Sequence, residues 1–171
     1  DSKAKKYLNI EHCTFDNCQS LRGGAISIYT LQNTRCFVIL QSTFTNNQVT
    51  SENGYGGAIS FNATKGQIEN CKFINNKAKN GGDIYYLFSA TSTNTIHSDQ
   101  YLIMKNNEFT RNDNDDEITN CAIYLDWHQY SKIDFINNKI ETTKKIPLFG
   151  YKGDLVQENI SISENFILPD V

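Results

Sequence analysis

Apolar and polar positions alternate with a period of two along this chain, but only in short bursts, and the bursts recur. Each recurrence carries an apolar pair, a small residue, a large apolar anchor, two further residues and then Asn. The anchors are Phe15, Phe44, Phe73, Phe109, Phe135 and Ile162, spaced 29, 29, 36, 26 and 27 residues apart. Three residues after them stand Cys18, Asn47, Asn76, Asn112, Asn138 and Asn165. A constant core with inserts of variable length is the signature of stacked solenoid coils.

Two residues before the anchors come Cys13, Ser42, Cys71, Asn107, Ile133 and Ile160. In a strand that spacing puts both positions on one face. Five residues before lie Ile10, Ile39, Ile68, Met104, Tyr130 and Gln157, mostly large and apolar. The odd offset between these two positions breaks strict alternation and predicts a bend between two short strands. A third strand follows the glycine pairs Gly23-Gly24, Gly56-Gly57 and Gly81-Gly82, with a counterpart lacking the pair at Cys121–Leu125. Its alternation points Ile26/Ile28, Ile59/Phe61, Ile84/Tyr86 and Ile123/Leu125 inward and their neighbours outward. The paired glycines serve either a positive-φ corner or a close approach of backbones. No long stretch has an apolar period of 3.6.

The predicted fold is all-β: a right-handed, single-stranded parallel β-helix of about six coils with three short strands each. One such domain covers residues 1–171. Coil spacing near 4.8 Å makes the stack a rod roughly 25–30 Å long. Recurrent Asn then acquires a structural purpose, because stacked side-chain amides donate and accept along the axis. The sequence holds 21 Asn, which suits such a ladder.

The pairing of Phe-x-x-Asn with Gly-Gly-Ala-Ile resembles the repeat of chlamydial polymorphic outer membrane proteins and of some protist surface proteins. Those belong to the pectate-lyase-like parallel β-helix class. The resemblance spans about residues 7–166 and is fullest at Phe44–Asn47 with Gly56-Gly57-Ala58-Ile59, and at Phe73–Asn76 with Gly81-Gly82. Asp83 replaces the small residue, Cys18 replaces Asn in the first coil, and the later coils lack the glycine pair. The resemblance implies a secreted or surface-displayed adhesive or structural protein, with no catalytic set to carry over.

A net charge of −3, and no basic cluster beyond Lys3–Lys6, argue against a nucleic-acid partner. No run of 18 apolar residues is long enough to span a membrane as a helix. The chain starts at Asp1, as expected of a processed protein or an excerpt of a longer solenoid. Five Cys cannot all pair internally. Cys13 and Cys71, two coils apart in one column, lie beyond disulfide reach and are expected as small core fillers. One disulfide among Cys18, Cys36 and Cys121 stays open. Sequons at Asn62 and Asn159 are expected to face solvent, where a eukaryotic secretory pathway would glycosylate them.

Candidate chemistry is sparse. The Ser/Thr-rich insert 87–100 reads equally as a specificity loop or a spacer. The acidic run 112–119 holds Asp113, Asp115 and Glu117, oxygen ligands for Ca²⁺, but lacks the glycine and spaced Glu of an EF-hand and reads better as a solvated turn. Glu11, Glu69 and Glu158 share a column interrupted by Leu40 and Lys105, a poor setting for paired-carboxylate glycoside hydrolysis. None of Arg22, Arg35 and Arg111 can be placed beside an acidic pair. His12, His97 and His128 form no constellation. Tyr124, Trp127 and Tyr130 either stack on sugar rings or cap the core.

No amphipathic helix closes either end, and Pro169 is a candidate terminator. Unclosed coils predict stacking on other protein chains, end to end on copies of itself included. The expected function is a non-enzymatic, secreted or cell-surface structural or adhesive element that takes no cofactor. The alternative is a carbohydrate-binding or carbohydrate-processing β-helix working through loops 87–100 and 112–119.

Overall fold

The structure, a computed structural model, describes residues 7–29, 36–62, 65–87, 101–111, 121–126, 132–142, 147–152, 160–163 and 166–168. Among them every regular element is a strand, and the strands stack as parallel sheets into a β-solenoid. The first wall comprises Tyr7–Glu11, Cys36–Leu40, Lys65–Glu69, Tyr101–Lys105, Lys132–Ile136 and Ile160–Ser163. The second comprises Thr14–Asp16, Thr43–Thr45, Lys72–Ile74, Glu108–Arg111, Lys139–Thr142 and Phe166–Leu168. The third comprises Ile26–Tyr29, Ile59–Asn62, Ile84–Leu87, Ile123–Asp126 and Phe149–Lys152. Among the described residues five turns supply all three strands and two further strands stack beyond them, so the count of complete turns falls short of the six coils expected.

Register follows the inward columns. In the first wall Ile10, Ile39, Ile68, Met104, Phe135 and Ile162 lie side by side. In the second wall the column is Phe15, Phe44, Phe73, Phe109, Ile140 and Ile167. Successive rings from Phe15 to Phe109 stack with centroids 5.0–5.1 Å apart. Each pair adds roughly 0.5–1.5 kcal/mol beyond the burial of its area.

Two expected anchors are thereby corrected. Phe135 and Ile162 belong to the first wall, and the second-wall anchors of the last turns are Ile140 and Ile167. Ile133 and Ile160 move with them into a first-wall column below Leu102. The expected Tyr130 and Gln157 at the inner position fall outside the described residues.

The bend between the first two walls is one residue in the left-handed region: His12, Gln41, Asn70, Asn106 and Asn137 have φ of 47–54°. Asn17, Asn46 and Asn75 repeat that geometry after the second wall, at φ of 52–54°. Asn tolerates this conformation better than most residues with a Cβ, which gives the Asn surplus a second use besides the ladder.

The two glycines of each pair divide the labour. Gly23, Gly56 and Gly81 take φ of 61–68°. Their successors answer to the neighbouring turn: a Cβ on Gly24 would lie 2.1 Å from the Gly57 carbonyl oxygen, and one on Gly57 would lie 2.0 Å from that of Gly82.

Candidate functional site

The most organised polar chemistry of the described residues lies at the two corners. At the first, the column two residues before the anchor reads Cys13, Ser42, Cys71, Asn107 and Asn138. Ser42 Oγ accepts the Cys13 N–H at 3.1 Å. Asn107 Oδ1 accepts the Cys71 N–H at 3.0 Å, and Asn138 Oδ1 the Asn107 N–H at 2.9 Å. At the second corner Asn47 Oδ1 accepts the Cys18 N–H, and Asn76 Oδ1 the Asn47 N–H, both at 3.0 Å.

The amide nitrogens reach back to carbonyls of the preceding turn. Asn47 Nδ2 donates to Phe15 O, Asn76 Nδ2 to Phe44 O, Asn107 Nδ2 to Ile68 O and Asn138 Nδ2 to Met104 O, at 2.9–3.1 Å. Each fully buried amide thus satisfies backbone groups that the corner strips from the strand ladder. Asn138 serves the first corner, not the second where it was expected; Asn112 and Asn165 lie outside the described residues.

The second-corner ladder ends on a charge. Asn76 Nδ2 also donates to Asp83 Oδ1 at 3.0 Å, so Asp83 stands where an Asn acceptor would continue the column. Its other oxygen accepts from Arg111 Nη2 at 3.2 Å, and both residues are buried. No arginine was expected beside an acidic pair; Arg111 meets a single carboxylate, that of Asp83. Arg111 was illegible because it lies two residues past Phe109, where earlier turns put the left-handed corner Asn.

A cavity of about 20 Å³ opens beside the pair, lined by Asp83, Arg111, Thr110, Glu141 and apolar neighbours. That space suits about one water molecule, so no sugar ring enters.

A different cluster runs along the outside of the third wall. The Arg22 guanidinium sits 5.4 Å over the Tyr55 ring. Tyr55 meets Tyr85 at 4.5 Å, and Tyr85 stacks on Tyr124 at 5.9 Å. One residue from each of four successive turns forms this seam. Tyr85 was expected to face outward, and it does, yet it is only 6% exposed because its neighbours cover it.

Its hydroxyl donates to Asp126 Oδ2 at 3.0 Å. Burial, then the Asp126 carboxylate, push the Tyr85 hydroxyl well above its ordinary pKa; the same two causes, in that order, raise Tyr124. Neither ionises near neutrality. Arg22 and Tyr55 escaped the sequence reading because their turns vary in length; only the parity of Tyr85 and Tyr124 hinted at the seam. Ser60, expected outward as well, is buried on the same face.

All five cysteines are free thiols, Cys18, Cys36 and Cys121 included. Cys71 is buried as a core filler, whereas Cys13 is only partly buried. Burial lifts the Cys71 thiol to about 11 and raises Cys121 as well. Glu11 and Glu69 flank Leu40 in one column, continued by Lys105, Ile136 and Ser163. Glu158 lies outside the described residues.

Asn62 is half-buried on the third wall, and its Oδ1 is enclosed without a hydrogen-bond partner. Asn159, Asp113, Asp115, Glu117, Trp127, Tyr130, His97 and His128 lie outside the described residues, as do residues 88–100 and 112–120. Among the described residues no three His, Cys, Asp or Glu side chains converge as metal ligands, and no helix is long and apolar enough to cross a membrane. Comparison of the chain with protein-family models, curated proteins and solved structures returns no match.

Proposed function

We propose that this chain is a non-enzymatic structural or adhesive segment of a secreted or cell-surface protein, built to be extended along its axis. One observation carries the reading: the inward columns run to the outermost described strands, and three of their members are exposed there. Leu8 at one edge is 44% exposed, and Tyr151 and Ile162 at the other are 59% and 57% exposed. Further turns, from a longer protein or from a second copy, add there in register: a first-wall strand presents its backbone groups to the next strand, and the columns supply matching side chains. The resemblance of the repeat to chlamydial and protist surface proteins supports the same reading.

Sedimentation of the untagged chain over a range of concentrations tests it. Elongated species that grow with concentration, and that Ile162→Lys suppresses while leaving the sheet signal intact, are expected. A monomer at all concentrations, or assembly indifferent to Ile162→Lys, contradicts self-extension.

A carbohydrate-binding reading has a weaker support in Tyr29 and Tyr124, outward residues of two columns of the third wall, since Tyr29 is exposed and aromatic faces stack on sugars. The rings of Tyr55 and Tyr85 are occupied by each other, which leaves little free face for a ligand. Glycan-array binding lost in Tyr124→Ala would favour it.

A further inference from the structure

We propose that Asn53 is a site of spontaneous backbone modification, converting to aspartate and isoaspartate through a succinimide, while the second Asn-Gly pair of this chain is protected by the fold. The chain has two such pairs, Asn53-Gly54 and Asn80-Gly81. The chemistry needs the amide nitrogen of the following residue to attack the Asn side-chain carbonyl carbon. Ammonia leaves as the ring closes, and water then opens the ring at either carbonyl. A glycine after Asn favours closure because no side chain obstructs the nitrogen, and its backbone is the least restricted.

Packing imposes glycine at position 54. A Cβ there would lie 2.1 Å from Val49 Cγ1, and Val49 is buried. The unhindered nitrogen behind Asn53 is therefore a by-product of core packing. Asn53 itself is exposed, in the short turn that leaves the Gln48–Val49 strand. One bond within the turn, Gly54 N–H to Ser51 O at 2.9 Å, restrains the reacting nitrogen.

Asn80 meets the opposite conditions. It forms a parallel bridge with Tyr55. Its N–H donates to Gly54 O, and its carbonyl accepts from Gly56 N–H, both at 3.0 Å. The next residue, Gly81, is fixed at φ 68° and accepts from Gly57 N–H. Swinging the Asn80 side chain onto the Gly81 nitrogen requires breaking contacts between turns. Closing the ring at Asn53 gives up the bond within the turn from Gly54 N–H to Ser51 O and strains one bond to the next turn, from Asn80 N–H to Gly54 O.

Modification at Asn53 adds one negative charge, and the isoaspartate form lengthens the backbone by one methylene just ahead of the Gly56-Gly57 corner.

The test is peptide mapping by mass spectrometry of the whole folded chain, aged at mildly alkaline pH, with the denatured chain as reference. In the folded chain conversion at Asn53 is expected to run roughly tenfold or more ahead of Asn80, with the gap closing on denaturation. Asn53→Gln is expected to remove the product without altering the sheet signal. Equal rates at both sites in the folded chain, or an unmodified Asn53 there while the denatured chain reacts, would overturn the proposal.

Discussion

Asn106 and Asn107 are neighbours in sequence and obey opposite rules. Asn106 is exposed and sits at φ 54°, so a residue with free positive φ serves it. Asn107 is fully buried and bonded to Cys71, Ile68 and Asn138. Asn106→Gly should leave stability within about 0.5 kcal/mol of wild type, because glycine takes that φ without strain. Asn107→Leu should cost about 3 kcal/mol, because it strands buried backbone groups. Urea unfolding of the two variants checks this, and equal losses would contradict the ladder.

Cys71 adds a pH dependence at the same scale. Its thiol stands at about 11 in the native state against 9.0 unexposed to the fold. The native state therefore holds the proton longer, so the associated stability is full below pH 9 and is lost as pH rises toward 11. The loss amounts to about 3 kcal/mol. Cys71→Ser, which copies Ser42 one turn earlier, should flatten that part of an alkaline stability profile and leave the neutral range little changed.

At the scale of the element, the pentapeptide Phe-Ile-Asn-Asn-Lys occurs twice, at 73–77 and at 135–139. At the first it leads out of the second wall, and at the second it leads out of the first. Both corners need the same local order: an inward apolar residue, an outward residue, a left-handed Asn and a buried Asn. Local sequence therefore fixes a corner without telling which one. That is why the strands, the glycine corners and the first four anchors were legible, while the last two turns slipped from one wall to the next. Column partners one turn away decide the matter, and variable inserts hide that spacing. The outer seam was less legible still, since Arg22, Tyr55, Tyr85 and Tyr124 share no spacing.

The Asp83–Arg111 pair makes an element-level prediction. Asp83→Ala alone should destabilise by about 3–5 kcal/mol, because it removes the buried carboxylate that faces Arg111 and one of the two acceptors of Asn76 Nδ2. Adding Arg111→Met should recover much of that loss. Thermal unfolding of the single and double variants checks the coupling, and simple additivity would count against it.

Across the whole molecule the interior is one continuous object. Phe rings, Ile columns and amide ladders each pass from turn to turn, so every turn is stabilised by the two beside it. The outermost described strands have such a neighbour on one side, and there Leu8, Tyr151 and Ile162 stay open. A rod of this kind gains most from what is added along its axis. The outer tyrosine seam clasps four turns from outside and hardens the rod without closing its ends.

The decisive measurement is electron microscopy of the untagged chain at the concentration where sedimentation detects growth. Rods lengthened end to end, with an axial repeat near 4.8 Å in their diffraction, are expected. Discrete compact particles of one size, at every concentration, would contradict extension along the axis as the purpose of this fold.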